Sequence, residues 1–521
     1  MRESRAQWHH VVSRMTRTAI LLLLVGSDPS VSAVGASQAP RESRSRAPVS
    51  GEGASKPLAQ GDAPAEFLAA RLTRTLDAYV KEHAFSGTVV VSHRGRVEFS
   101  RSHGMADEGW RIPNAPDTRY RIASMTKAFT ALAVLKLHQE QRLDLDSPIS
   151  HLVPGQDPRI TIRHLLLHRS GLARDPTDLS DKGITSRFTL AEIAGIAARS
   201  TLAFEPGTDY AYSNMGYSLL AAAIEAATGQ PYEVSLRTLV LDPMSLGETF
   251  NEPSLRPLPH LASGYFLLPD GLADASLEDK SHVLGAGSLT STAGDMIRFL
   301  DAMESHPGFS AETRGLYLTE AAKNRSHGLV TWEYKVSDSS GLEPRRGRVV
   351  MHGGSAPGYE SAFGRFLDHD VSIVVLGNHS PFPAASLFNA LGNAMLGFDA
   401  LPEVHSNLPW FKQAIALGPE AAIAQNRAST EGASAPSEGE TNRMGYNLLG
   451  AGRVADAIAV FRLNTLLHPD SANAHDSLGE AYLANDQSEL ALATYRRVLE
   501  INPGHPTAIR AIRVMEGKPD E

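Results

Sequence analysis

The stretch Arg121-Ile122-Ala123-Ser124-Met125-Thr126-Lys127 marks a change of character in the chain. Ahead of it, residues 111–122 carry arginine and proline and read as a loop-like approach. Behind it, Ala128, Phe129, Ala131, Leu132, Leu135 and Leu137 recur at helical spacing, so Ser124 falls at a helix start. Residues three apart on a helix share a face, which puts the Lys127 amine beside the Ser124 hydroxyl. An amine so placed can activate serine without a histidine. The helix start would also offer unpaired N–H groups and a partial positive charge to a developing oxyanion. A Ser-x-x-Lys arises by chance in many chains, so its meaning depends on what the remaining sequence brings to it.

On the N-terminal side, Thr88-Val89-Val90-Val91 and Val97-Glu98-Phe99 flank Arg94-Gly95 and predict a β-hairpin. Before it, Leu68, Leu72, Leu76, Tyr79 and Val80 mark one face of an amphipathic helix. Residues 34–63 are rich in Ser, Ala, Gly, Pro and Arg, with too little apolar surface to offset the entropy of ordering, and read as a flexible leader. Residues 1–33 run from Arg2, Arg5, Arg14 and Arg17 through the apolar Ala19–Val25 to the small residues Val31-Ser32-Ala33. That order is a secretory signal, with more usual proportions if counted from Met15. The mature chain is therefore expected to be periplasmic or secreted. The apolar run is far shorter than the ~20 residues of a membrane span.

On the C-terminal side, residues 140–345 read as mostly helical patterns joined by turns. Strand signals return at Glu360–Leu367 and Val371–Leu376 around Asp368-His369-Asp370, a second hairpin. Strands at both ends with helices between predict an α+β fold: one antiparallel sheet flanked by helices, with a helical subdomain inserted. This domain is placed at 64–400, followed by a linker at 401–440. Beyond it, Gly445, Ala457, Phe461 and Pro469 recur as Gly479, Ala491, Tyr495 and Pro503, each pair 34 residues apart. Small, small, aromatic and proline positions at that offset match the tetratricopeptide repeat, so 441–515 is expected to hold two repeats and a capping helix, an all-α unit.

Two further polar clusters follow Ser124. Tyr212-Ser213-Asn214 comes after the turn Pro206-Gly207. A tyrosine beside a cation can shuttle protons, and an asparagine can fix a substrate amide and orient Lys127. His352-Gly353-Gly354-Ser355 follows Arg348-Val349-Val350-Met351, and paired glycines beside a strand let a substrate approach the backbone closely. Each cluster alone reads as an ordinary turn.

In this order the three clusters resemble the serine β-lactamase and penicillin-binding protein superfamily, in its class C-like serine hydrolase branch. That family pairs a Ser-x-x-Lys with a Tyr-x-Asn and a third motif that is Lys-Thr-Gly or a His-x-Gly variant. Leu165–Leu172, Phe204–Gly207, Gly285–Thr292 and His352–Tyr359 also look like the branch. The resemblance spans roughly residues 64–400 and implies a β-lactamase/transpeptidase-like fold. It implies that Ser124 is the acylated nucleophile, and that Lys127 and Tyr212 share the proton transfers. Asn214, His352, Gly354 and Ser355 would bind substrate, with the N–H groups of Ser124 and Ser355 holding the oxyanion. His352 stands where β-lactamases carry lysine, and a mostly neutral imidazole attracts a substrate carboxylate less. The expected activity is therefore hydrolysis of esters or peptide-like amides, with β-lactamase or D-Ala-D-Ala carboxypeptidase as the alternative. A non-catalytic peptide receptor on the same fold is the remaining one.

Other classes find little support. A net charge of −9 offers no basic footprint for nucleic acid, and no cysteine is present for disulfides or thiol catalysis. His164 and His168 lie four apart but lack a third ligand, so no metal and no cofactor is expected. The expected partners are a small-molecule or peptide substrate and a peptide or protein at the repeats, with no membrane span.

Overall fold

The computed structural model describes residues 65–176, 186–252, 257–336, 344–398, 406–428 and 435–517. The expected signal (1–33) and leader (34–63) lie outside the described residues.

A six-stranded antiparallel sheet organises the fold. Its strands are β1 (Gly87–His93), β2 (Arg96–His103), β3 (Val330–Val336), β4 (Arg345–Ala356), β5 (Tyr359–Phe366) and β6 (Val371–Gly377), in the order β3-β4-β5-β6-β1-β2. Both expected hairpins are here. Arg94 and Asp370, at their tips, take the left-handed conformation a tight reversal needs. Successive side chains of a strand point to opposite faces. Accordingly Val89 and Val91 enter one core and Val90 the other; Ile373 and Val375 part likewise from Val374 and Leu376. Burial on both faces is why these strands read as unbroken apolar runs rather than alternating ones. Each such side chain is worth about 1.5–3 kcal/mol of burial.

One face of the sheet is covered by α1 (Ala65–His83) and α5 (Ala384–Met395), which also pack on each other. The other face carries α2 (Thr126–Gln139), α3 (Asn214–Thr228) and α4 (Ala293–Ala302). In α2 every residue from Thr126 to Leu135 is buried. Such a helix is apolar nearly all round because it has neighbours on every side. Its polar Thr130 is satisfied by the Tyr232 hydroxyl and the Gly285 carbonyl, each at 2.6 Å.

Residues 140–345 are less uniformly helical than their pattern suggests. They include strands Tyr265–Leu268, Gly271–Asp274 and Leu289–Thr292, and all of β3. These segments are short: Tyr265–Leu268 and Gly271–Asp274 pair with each other as a hairpin of four-residue strands, while Leu289–Thr292 pairs with Arg119–Arg121 far back in the chain, so local periodicity carries little of the signal. A second difference lies in the segment expected to be a linker. Leu408–Leu417 (α6) and Pro419–Ala428 (α7) are helices, and Trp410 and Phe411 are buried against Phe266 and Leu268. Apolar anchors outweigh the loop-like composition around them.

The C-terminal region is all helical: α8 (Glu438–Gly450), α9 (Val454–Leu467), α10 (Ala472–Ala484), α11 (Ser488–Ile501) and α12 (Pro506–Met515). A Cβ at Gly445 would press into the Phe461 ring, and one at Gly479 would press into Tyr495. The glycine–aromatic spacing thus sets how closely α8 approaches α9, and α10 approaches α11. Through Met444 and Leu448 this region shares an apolar core with Phe266 and Leu268.

Candidate active site

Ser124 lies in a 3-10 turn, Ala123–Met125, that leads directly into α2. Ala123 holds a positive φ of 45°, a conformation costing an L-residue about 1–2 kcal/mol. Packing supplies the compensation: Ile122 is fully buried, and its N–H donates to the Leu289 carbonyl at 3.0 Å. Upstream, Arg121 donates from two nitrogens to both carboxylate oxygens of Glu252, at 2.8 and 2.6 Å. The turn that presents Ser124 is therefore clamped at its entrance.

Lys127 is completely buried one turn below. Its Nζ lies 3.2 Å from Ser124 Oγ, 2.7 Å from Asn214 Oδ1 and 2.7 Å from the Ala286 carbonyl oxygen. A neutral amine has two N–H donors and one lone pair. The two carbonyl oxygens can only accept, so in that neutral form they take both hydrogens and the lone pair is left for the serine hydroxyl, whereas the ammonium form donates to all three oxygens. Burial holds the Lys127 pKa well below its usual value, helped by the positive charge of Arg174 and opposed by Asp175. A free lysine near 10.4 needs a fall of about 3 units, or about 4 kcal/mol, to serve as a base at neutral pH. The direction of the environment is the required one.

Ser213 caps α3: its Oγ accepts from the Gly216 N–H at 2.9 Å and donates to the Ala173 carbonyl at 2.7 Å. The cap sets Asn214 at the first turn, where its Nδ2 donates to Asp175 Oδ1 at 2.7 Å. That bond orients the amide oxygen toward Lys127. Tyr212 enters by its ring face, which lies 4.8 Å from Lys127 Nζ and 5.2 Å from the Arg174 guanidinium carbon. The same ring stacks on the buried His168 at 4.4 Å. His168 Nδ1 accepts from the Ser213 N–H at 3.1 Å, which leaves the proton on Nε2. His168 and His164 are thus engaged separately, His164 Nδ1 accepting from the Thr161 N–H in a helix cap. Among the described residues no cluster of metal-ligating side chains is present.

The third cluster lies on β4. Gly354 abuts the nucleophile turn so closely that a Cβ there would overlap the Ile122 carbonyl oxygen. Ser355 Oγ donates to Glu360 Oε1 at 3.0 Å. His352 is buried, and its Nδ1–H donates to the Gly353 carbonyl at 2.6 Å. Burial lowers its pKa to about 3, helped by Lys127 in its protonated form and by Arg325, so the imidazole is neutral over the physiological range. A cavity of about 40 Å³ is lined by His168, Tyr212, Arg325, His352 and Gly353 among others.

The residues singled out from sequence therefore converge. Arg174, Asp175 and Arg325 join them without a sequence signal of their own, and Ala286 joins from Gly285–Thr292, one of the stretches that look like the branch. Ala286 acts through its backbone, and the others become neighbours only by tertiary folding.

Comparison with known proteins gives the arrangement its context. The beta-lactamase family matches residues 72–393. The esterase EstB of Burkholderia gladioli is 32% identical over 305 residues, covering 51% of this chain and 76% of that protein. A penicillin-binding protein of Bacillus subtilis is 28% identical over 319 residues, covering 57% and 69% respectively. The solved structure of D-amino acid amidase from Ochrobactrum anthropi shares the fold, with a TM-score of 0.54 at 24% identity, over 63% of this chain and 99% of that one. The match over residues 72–393 shows that the chain belongs to the beta-lactamase family, whose fold is that of the β-lactamase/transpeptidase-like serine hydrolases.

Proposed function

We propose that the protein is an exported serine hydrolase that cleaves esters or peptide-like amides through an acyl-enzyme on Ser124. The observation that carries this reading is the buried Lys127 amine, 3.2 Å from Ser124 Oγ, with two acceptor-only oxygens as its other polar partners. Lys127 takes the Ser124 proton as Oγ attacks the substrate carbonyl. The N–H groups of Ser124 and Ser355 hold the resulting oxyanion, a contribution of about 3–4 kcal/mol per donor in comparable sites. Collapse expels the alcohol or amine, protonated through Lys127 and Tyr212, and water then releases the acyl group by the reverse geometry. Asn214 orients Lys127 and the substrate amide, and the neutral His352 lines the leaving side. Gly354 permits the close approach of β4.

Residues 1–33 act as the export signal and 34–63 as a leader to the hydrolase domain at 64–400. Residues 441–515 form two tetratricopeptide repeats with a capping helix. The 34-residue offsets support this, as do the glycine–aromatic contacts of Gly445 with Phe461 and Gly479 with Tyr495. A second reading, β-lactamase or D-Ala-D-Ala carboxypeptidase, gains from one observation: Arg325 lines the cavity beside His352 and could supply the cation that the imidazole lacks.

The test is hydrolysis of p-nitrophenyl acetate, a chromogenic β-lactam and D-Ala p-nitroanilide by the wild type and Ser124→Ala. Ester or anilide turnover that vanishes in the variant supports the proposal. Dominant β-lactam turnover favours the second reading. Turnover independent of Ser124, or none with any substrate, refutes both.

A further inference from the structure

We infer that Arg443, in the C-terminal helical region, is a positioning residue for the candidate active site, acting through Glu360 on Ser355. The inference rests on the serine hydrolase reading, in which the Ser355 backbone helps to hold the oxyanion.

Ser355 and Glu360 face each other across the β4–β5 hairpin. The Glu360 side chain is only 6% exposed, and its Oε1 gathers three groups. Ser355 Oγ donates to it at 3.0 Å, Ser380 Oγ donates at 3.2 Å, and Arg443 Nη1 lies at 3.4 Å. A buried carboxylate without a cation is costly, and burial pushes the Glu360 pKa upward while Arg443 opposes that push. Two neutral hydroxyl donors alone would leave the charge uncompensated.

The contact is built, not incidental. Asn447 follows Arg443 by four residues and so shares its face of α8. Asn447 Nδ2 donates to the Ser380 carbonyl at 2.8 Å. One helix face thus holds both the carboxylate that anchors Ser355 and the serine that shares that carboxylate. Met444 and Leu448, both fully buried with Phe266, fix the helix where these contacts require it. Glu360 is the link between a region outside the family match at 72–393 and a strand that abuts the nucleophile turn.

Without Arg443, the Glu360 carboxylate would favour its protonated form or draw in water, and its hold on Ser355 Oγ would slacken. The hairpin bearing the oxyanion donor would then be placed less sharply. Such a defect is felt in the transition state more than in ground-state binding.

The full-length chain is assayed with p-nitrophenyl acetate as wild type, Arg443→Met and Arg443→Lys, each with and without Ser355→Ala. Arg443→Met is expected to lower kcat about tenfold with KM within about threefold, a fraction of the loss from deleting an oxyanion donor. Arg443→Lys should restore most of kcat, and Arg443→Met should add little once Ser355 is alanine. An unchanged kcat in Arg443→Met overturns the inference, as does an equal loss in the Ser355→Ala background. If Arg443→Met does not fold, Arg443→Gln, which keeps a hydrogen-bond donor but no charge, is compared in the same two ways. Absence of Ser124-dependent turnover in the wild type would instead overturn the hydrolase reading itself.

Discussion

Asp175 offers the sharpest handle on Lys127. Its Oδ1 accepts from Asn214 Nδ2 at 2.7 Å, and Asn214 Oδ1 in turn accepts from Lys127 Nζ at 2.7 Å. Asp175→Asn keeps an acceptor of the same shape while removing the charge. Through one amide and two short hydrogen bonds, the carboxylate lies about 7 Å from the amine, where two unit charges interact by roughly 2 kcal/mol at an effective dielectric of ~20. Asp175 is partly solvated, its side chain being 16% exposed, so about 1–2 kcal/mol, or about 1 pH unit, is the reasonable expectation. The sign follows from the charge. Asp175 favours protonated Lys127, so its removal lowers the lysine pKa further, and releasing Arg174 from its partner acts the same way. Activity that requires neutral Lys127 is lost as pH falls through that pKa. The acid limb of the kcat/KM profile for p-nitrophenyl acetate should therefore move about 1 unit toward lower pH in Asp175→Asn, with the plateau held within several-fold. An acid limb that stays in place, or moves upward, would refute the assignment of Lys127 as the base.

Three further tests bear on other parts of the molecule. Gly354→Ala pushes a methyl into the Ile122 carbonyl and should cost about 1–3 kcal/mol in urea unfolding, with more than tenfold loss of kcat; wild-type values for both would refute the seam described between β4 and the Ser124 turn. His352 has a folded pKa of about 3 against about 6.5 unfolded, so the unfolded chain binds more protons between those values, and stability is lost as pH drops below about 6.5. Between pH 7 and 4.5 the wild type should lose about 2–3 kcal/mol more than His352→Gln in urea titrations, and equal losses would contradict the burial argument. Gly445→Ala should lower the thermal midpoint by crowding Phe461, and the penalty should shrink in a Phe461→Leu background; an undiminished penalty would place the strain elsewhere.

Much of the sheet was legible because β1 and β2, like β5 and β6, are joined by short turns whose residues announce themselves. β3 was not, since its partner β4 is the only element that explains it, and α6 was masked by a polar, proline-bearing neighbourhood. The polar clusters were legible as types and spacings, and the structure brings Ser124, Lys127, Asn214 and His352 to one place. Arg174 and Asp175 carry no pattern, because what matters about them is the field they place on an amine 47 and 48 positions earlier in the chain. The contribution of Tyr212 through its ring face, backed by His168, likewise depends on an orientation that a Tyr-x-Asn pattern does not specify.

The complete enclosure of Lys127 bears on when the molecule becomes reactive. In an extended or half-assembled chain that side chain is an ordinary hydrated ammonium with no lone pair to lend. The serine beside it is then no more nucleophilic than any other. On the proposed mechanism, chemical competence arises only once α2, α3 and the Gly285–Ser288 segment have closed around a single nitrogen. Turnover per molecule therefore reports the fraction of chains whose interior is finished, and a destabilising substitution far from Ser124 can silence the protein without touching any group that meets the substrate.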